Sequence, residues 1–120
     1  MTRYSAFVAI SPATFASIRI SELEAWVEQD LGHPRRLDEF CSCGPERASK
    51  RRSKAIGPTT LAHFTAGNIP ASAVTSMVAG VLIRSAQFLK CAKGTSLIPR
   101  LFAHSVREVN PHLGACIEIA

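Results

Sequence analysis

Two turn-like segments carry the polar side chains that could do chemistry in this chain. Asn68 follows an apolar, strand-like run at residues 59–66, and Lys90 lies near the end of a second such run at residues 86–91. An uncharged amide can stabilise a carbonyl oxygen that gains negative charge, and an ammonium group can bind a ribose hydroxyl or a phosphate. In an open α/β sheet both positions fall at the carboxyl edge, where ligands bind. The pair therefore favours a nucleotide-dependent reductase over a small domain without a ligand site.

Each of these residues also has a simpler explanation that involves no ligand. A Gly-Asn-x-Pro turn often uses its asparagine to satisfy backbone groups where a helix starts, and Lys90 could be a solvated lysine that ends a strand. Lys93 and Thr95 lie in the next loop, which would cover the adenosine end of a bound dinucleotide. The common Gly-x-Gly-x-x-Gly fingerprint is absent after the first predicted strand. The pattern by itself leaves both interpretations open.

The elements that must position these side chains alternate between strand and helix. After Pro58 the apolar periodicity predicts a strand at 59–66, a helix at 70–84, a strand at 86–91, a helix at 96–109 and a strand at 115–120. This β-α-β-α-β order implies a parallel sheet with right-handed crossovers, which is half of a Rossmann-like α/β fold. The second helix is predicted to turn four apolar side chains inward: Leu97, Leu101, Val106 and Val109.

Residues 1–56 differ from the rest of the chain and are predicted to form an N-terminal segment that is partly helical and partly irregular. A capping box formed by Ser21 and Glu24 predicts the start of a helix, and Gly32 predicts its end. Residues 44–58 are polar and cationic, which is typical of a surface connector. We therefore expect two domains, the segment at 1–56 and a partial nucleotide-binding domain at 57–120.

The basic charge is concentrated in one short segment. The 120 residues carry a net charge of +5, and residues 47–54 contain five lysines and arginines without an acidic residue. Clustered cations can neutralise phosphates, so a small basic nucleic-acid-binding protein that uses residues 47–54 is the alternative function. The segment has no interleaved aromatic residues and no helix-turn-helix pattern. We therefore expect a solvated surface there and no nucleic-acid partner.

The four cysteines favour reduced thiols over a metal site or a disulfide scaffold. Cys41 and Cys43 are separated by one residue, fewer than a zinc knuckle uses, so no metal site is predicted. The first ten residues do not resemble an export signal. The longest apolar run, at residues 69–83, is shorter than the roughly 20 residues that a membrane span needs. These features predict a cytoplasmic protein without a membrane span.

Taken together, the polar residues and their apolar surroundings resemble the acyl-CoA reductases of the LuxC type, which are themselves similar to aldehyde dehydrogenases. Members of this family make fatty aldehyde for bacterial bioluminescence and related pathways. The resemblance runs from about residue 21 to the last residue and is most specific from residue 57 onward. The residues that carry it are Leu37-Asp38-Glu39-Phe40, Gly57-Pro58, Leu61, His63, Ala66-Gly67-Asn68-Ile69-Pro70 and Lys90.

The resemblance implies a role for each polar residue of the two turns. Asn68 matches the asparagine that stabilises the oxyanion of the thiohemiacetal, which makes it the expected catalytic residue. Lys90 matches the lysine that binds the adenosine ribose, and Thr95 lies in the same cofactor-binding loop. Lys93 stands where many NAD-dependent aldehyde dehydrogenases have a glutamate that holds the 2′-hydroxyl. Because a lysine attracts a 2′-phosphate, the expected cofactor is NADPH.

The family reaction begins with transfer of a fatty acyl group from coenzyme A to a cysteine thiolate, and hydride from the nicotinamide then releases the aldehyde. In the family this cysteine lies far downstream of the asparagine, in a separate domain. Cys91 and Cys116 are not at its position, and both are predicted to be small buried residues. We therefore expect an N-terminal fragment that is inactive alone and could form a homo-oligomer. A non-catalytic scaffold with a vestigial cofactor fold stays open.

Overall fold

A computed structural model of the chain describes residues 18–67 and 70–120. Residues 1–17, 68 and 69 lie outside the described residues, and the predicted site residue Asn68 is among them. By their contacts, the described residues belong to two compact units, 18–57 and 58–120. None of the helices in the described ranges is both long and apolar enough to span a bilayer.

The unit at 58–120 is a three-stranded parallel sheet with helices between the strands, as the sequence predicts. The strands pair in the order β1-β2-β3. The strands are β1 (Thr60–Phe64), β2 (Ala86–Lys90) and β3 (Ile117–Ile119), and the helices are α3 (Pro70–Leu82), α4 (Leu97–Val109) and α5 (Pro111–Gly114). The observed strands are one to three residues shorter than predicted.

The core of this unit lies on one face of the sheet. Helix α3 contacts β1 and β2, α4 contacts β3, and the two helices contact each other, so both cover the same face. Val74 and Met77 of α3 and Leu89 of β2 are fully buried. The opposite face carries Phe64 and Phe88, which remain 80% and 40% exposed. Parallel sheets are usually buried on both faces, so this aromatic face is unusual for its class.

The prediction of which α4 residues face the core is wrong for three of the four. Leu97, Leu101 and Val109 are 61%, 52% and 88% exposed. Val106 is half-buried, and the inward side is instead formed by the buried Pro99 together with half-buried Phe102. Apolar residues occur on both sides of this helix, so a period of 3.6 residues fits more than one orientation. Contact with the sheet and with α3 selects the side that carries Pro99.

The unit at 18–57 consists of one longer helix and two short ones. It contains α1 (Ile20–Leu31), a 3₁₀ helix (Pro34–Leu37) and α2 (Pro45–Ala48). Helix α1 ends at Gly32 as predicted, since this residue adopts φ 75° and donates its N–H to Glu28 O. The predicted capping box is wrong: the N-cap residue is Arg19, no side chain caps it, and Ser21 lies inside the helix.

A buried amide joins three elements of the sheet unit. Gln87 of β2 donates from Nε2 to Met77 O of α3 at 3.0 Å, and its Oε1 accepts from His63 Nε2 of β1 at 3.1 Å. The amide lies directly against Gly80, where an added Cβ would be 2.9 Å from Gln87 Nε2 and closer still to Oε1. Only a residue without a side chain allows α3 to approach β2 this closely.

Replacing Gly80 by alanine is therefore expected to destabilise the chain, although alanine is the better helix former by about 1 kcal/mol. Overlap with the Gln87 amide should cost about 1–3 kcal/mol. The measurement is the free energy of unfolding by urea, followed by far-UV circular dichroism.

Gln87→Ala is the matched background, because it removes the overlapping amide. In that background Gly80→Ala is expected to be neutral or stabilising, so the two changes should couple by about 1 kcal/mol or more. Equal effects of Gly80→Ala in both backgrounds would contradict the role of the close approach.

Candidate functional site

The register of β1 and β2 brings the ends of these strands to one edge of the sheet. Phe64 and Lys90, the last residues of β1 and β2, are direct partners in the ladder. Thr65 N–H then donates to Lys90 O at 3.0 Å. On the other side of β2, Cys91 N–H donates to Ala120 O at 3.0 Å. Residues 64–67, 90–96 and 119–120 thus form one border, which we name the carboxyl edge.

A tight turn places Lys93 at the outer tip of this edge. Thr95 N–H donates to Ala92 O at 3.1 Å, and Gly94 between them adopts φ 79°. Glycine reaches this backbone conformation without a steric penalty. The Thr95 hydroxyl donates to the same Ala92 oxygen at 2.9 Å. Thr95 therefore holds the shape of the turn, and the exposed Lys93 side chain is free to meet a ligand.

The turns that follow β1 and β2 touch each other at the carboxyl edge. A Cβ placed on Gly67 would lie 3.2 Å from Ala92 Cβ and 3.8 Å from Thr95 Cγ2. The structure thus brings the residue before Asn68 against the loop that contains Lys93. Asn68 itself lies outside the described residues, so the proximity of its amide to Lys90 stays a prediction.

The described residues of the carboxyl edge carry cations and no acidic side chains. Lys90 emerges on the face of the sheet opposite the helices, because Gln87 and Leu89 face the helices in the alternation of β2. A third cation was missed by the sequence analysis: Arg100 of α4 donates from Nη2 to Ile119 O, the last residue of β3, at 3.3 Å. The sequence did contain a signal for Arg100: it lies in the first turn of the predicted helix that follows the second strand, and such a turn starts at this edge of the sheet.

The cysteines do not form a reaction centre in the described residues. All four are free thiols. Cys91 is half-buried beside β2, whereas Cys116 is exposed and precedes β3, so the prediction of a buried Cys116 within a strand is wrong. In the described ranges there is no group of three or more His, Cys, Asp or Glu side chains that could hold a metal ion.

The basic segment at 47–54 lies in the other unit and is organised by one carboxylate. Glu46 accepts from Cys43 N–H at 3.0 Å, from the Ser53 hydroxyl at 2.8 Å and from the Arg36 guanidinium. Two further backbone hydrogen bonds of 2.9 Å join Cys41 and Ser53. Together these contacts close the loop on itself.

Two of the cations in this segment bind the backbone of their own loop. Arg52 donates to Phe40 O from both Nε and Nη2, at 3.2 and 2.8 Å, and Arg47 Nε donates to Ser42 O at 3.3 Å. Lys50, Arg51 and Lys54 are exposed. Nucleic-acid binding through this segment stays a prediction.

Comparison with known proteins supplies one match. A family model described as acyl-CoA reductase (LuxC) matches residues 3–119. No curated protein and no solved structure matches the chain. The match covers the sheet, the carboxyl edge and the preceding helical unit, and it agrees with the resemblance based on residues 57–70 and Lys90.

The contacts of Glu46 predict an acid-sensitive unit at 18–57. Hydrogen bonds from Cys43 N–H and then Ser53, with the nearby Arg36, lower the pKa of Glu46 below its ordinary value of 4.5. Between that value and the lowered one, the unfolded chain binds more protons than the folded chain. The stabilisation is therefore complete above the ordinary pKa and is lost as the pH falls through the lowered pKa.

The measurement is the free energy of unfolding against pH, followed by the fluorescence of Trp26, the single tryptophan, in α1. Glu46→Gln is the matched control, because it cannot ionise. The stability difference between the two proteins should shrink with acidification below the ordinary pKa. A difference that stays constant across that window would show that the carboxylate charge does not stabilise this loop.

Proposed function

This chain belongs to the LuxC family of acyl-CoA reductases, and we propose that it provides the NADPH-binding edge and the oxyanion-stabilising amide for reduction of fatty acyl-CoA to fatty aldehyde. The observation that carries the proposal is the joint position of the two turns after β1 and β2, in contact at Gly67 and Ala92. Residues 57–120 would form the partial nucleotide-binding domain, and residues 1–56 a separate helical segment.

The proposed reaction uses a cysteine thiolate that takes the acyl group from coenzyme A as a thioester. NADPH supplies the hydride that converts this thioester into the aldehyde and releases the thiolate. Asn68 would donate from its amide to the carbonyl oxygen while negative charge builds on it, which typically contributes a hundredfold or more in rate. None of the four cysteines is assigned as this nucleophile, which we place outside this chain.

The charges of the carboxyl edge fit a phosphorylated cofactor. In this proposal Lys90 would bind the adenosine ribose, and Lys93 lies at the tip of the adjoining turn. Attraction between an ammonium and a phosphate charge at about 4 Å amounts to about 1 kcal/mol in water and about 4 kcal/mol near a protein surface. An acidic residue in the turn would repel the same phosphate, and the described residues of this edge carry none. Thr95 contributes by holding the turn.

Several further expectations accompany this proposal. The family resemblance implies a role in supplying fatty aldehyde for bioluminescence or a related pathway. We also expect a cytoplasmic location and a homo-oligomeric state.

Lys93→Glu is expected to abolish the preference of the chain for NADPH over NADH. The wild-type chain should bind NADPH at least about tenfold more tightly than NADH, and the charge reversal should remove that ratio, because a carboxylate repels the 2′-phosphate and can accept from a 2′-hydroxyl. The measurement is a titration of the fluorescence of each reduced cofactor with protein. Lys54→Glu, the same charge change at an exposed position in the basic segment, should leave the ratio unchanged.

Two outcomes would contradict the proposal. One is the absence of NADPH binding by the wild-type chain, which would favour a vestigial scaffold. The other is NADPH-dependent reduction of a long-chain acyl-CoA by these 120 residues alone, since that reaction would require a nucleophile within the chain.

A further inference from the structure

Arg100 reaches the carboxyl edge from the helical side of the sheet. It lies in the first turn of α4, where side chains lean toward the N-terminus of the helix and hence toward this edge. Its Nη2 donates to Ile119 O at the end of β3, at 3.3 Å. This hydrogen bond holds an exposed guanidinium beside the ends of β2 and β3.

Most of the binding capacity of this guanidinium is unused in the described residues. Arginine has five N–H donors in a planar fork, and the bond to Ile119 O engages one nitrogen. The unit at 58–120 has two acidic residues, and neither pairs with Arg100. Glu108 lies at the far end of α4 beside His104, and Glu118 is opposite Phe88 on the uncovered face of the sheet.

The strand order indicates which part of a cofactor would meet Arg100. In a Rossmann-like half-sheet the ribose 2′ position lies near the end of the second strand, and a nearby arginine accommodates a 2′-phosphate where one is present. Here the second strand ends at Lys90, its turn carries Lys93, and the neighbouring strand ends at Ile119. The position of Arg100 beside Ile119 is thus on the adenosine side of the edge.

We propose that Arg100 binds the 2′-phosphate of the adenosine ribose together with Lys93, an inference that rests on the proposed NADPH-dependent function. The planar fork of Arg100 can form two parallel hydrogen bonds to phosphate oxygens, and Lys93 adds a point charge from the turn. Arg100 is then a residue that determines specificity for NADPH over NADH. It contacts the 2′-phosphate, and other residues bind the rest of the nucleotide.

The test compares two ligands that differ by one phosphate, adenosine 2′,5′-bisphosphate and adenosine 5′-monophosphate, by isothermal titration calorimetry on the full chain. Arg100→Gln is expected to weaken binding of the bisphosphate by about tenfold or more, because it removes charge-assisted hydrogen bonds to the 2′-phosphate. The affinity for the monophosphate, which lacks that phosphate, should not change. A purely structural role for Arg100 would weaken both ligands alike.

Arg107→Gln is the matched control on the same helix. Arg107 is exposed near the other end of α4, and glutamine retains the Cβ and Cγ atoms against which Gly114 packs. The control should bind both ligands like the wild-type chain. Should Arg100→Gln fail to fold, Arg100→Lys keeps the charge but loses the fork, and a loss of about threefold for the bisphosphate is expected.

The outcomes separate this inference from the proposed function. A wild-type chain that does not prefer the bisphosphate would overturn both. If the wild-type chain prefers it, and Lys93→Gln but not Arg100→Gln lowers that preference, the role of Arg100 is wrong while the cofactor assignment stands. A loss with both variants supports the inference.

Discussion

The parallel pairing of β1 with β2 is the constraint on which the candidate site depends. Because Phe64 and Lys90 are partners in the ladder, the chain leaves both strands at the same level, and the turn at Gly67 meets the turn at Ala92. A shift of one residue in this register would turn Lys90 toward the helices and Leu89 toward the uncovered face. The backbone hydrogen bonds of the sheet thus decide which side chains can act together.

The buried amide of Gln87 explains how a small unit keeps that register. Its hydrogen bonds to Met77 O and from His63 tie α3 to both β1 and β2, and Gly80 lets the helix approach closely. A slip of β2 would leave these polar groups buried without partners, at a cost of about 1–3 kcal/mol each. The apolar core is small and on one side of the sheet, so a specific polar contact has correspondingly more influence on the arrangement of the strands.

The two units use charge in opposite ways. In the unit at 18–57 the Glu46 carboxylate accepts hydrogen bonds from Arg36, Cys43 N–H and the Ser53 hydroxyl. Its negative charge is therefore compensated within its own loop. At the carboxyl edge, Lys93 and Arg100 pair with no acidic side chain among the described residues. Cations without counter-charges create a positive potential that attracts anionic ligands. A positive potential at this edge is what the proposed binding of NADPH requires.

The sequence by itself determined the order β-α-β-α-β, the parallel sheet and the bounds of the predicted strands to within a few residues, because apolar periodicity and helix-ending residues such as Gly32 act locally. The short helices α2 and α5 were not predicted. The sequence could not orient α4, since apolar residues such as Leu97 and Phe102 lie on both of its sides and only packing against α3 and the sheet chooses between them. It also missed Arg100, whose partner Ile119 is far along the chain. Tertiary structure decided which residues meet at the carboxyl edge, because strand pairing joins positions that no local pattern relates.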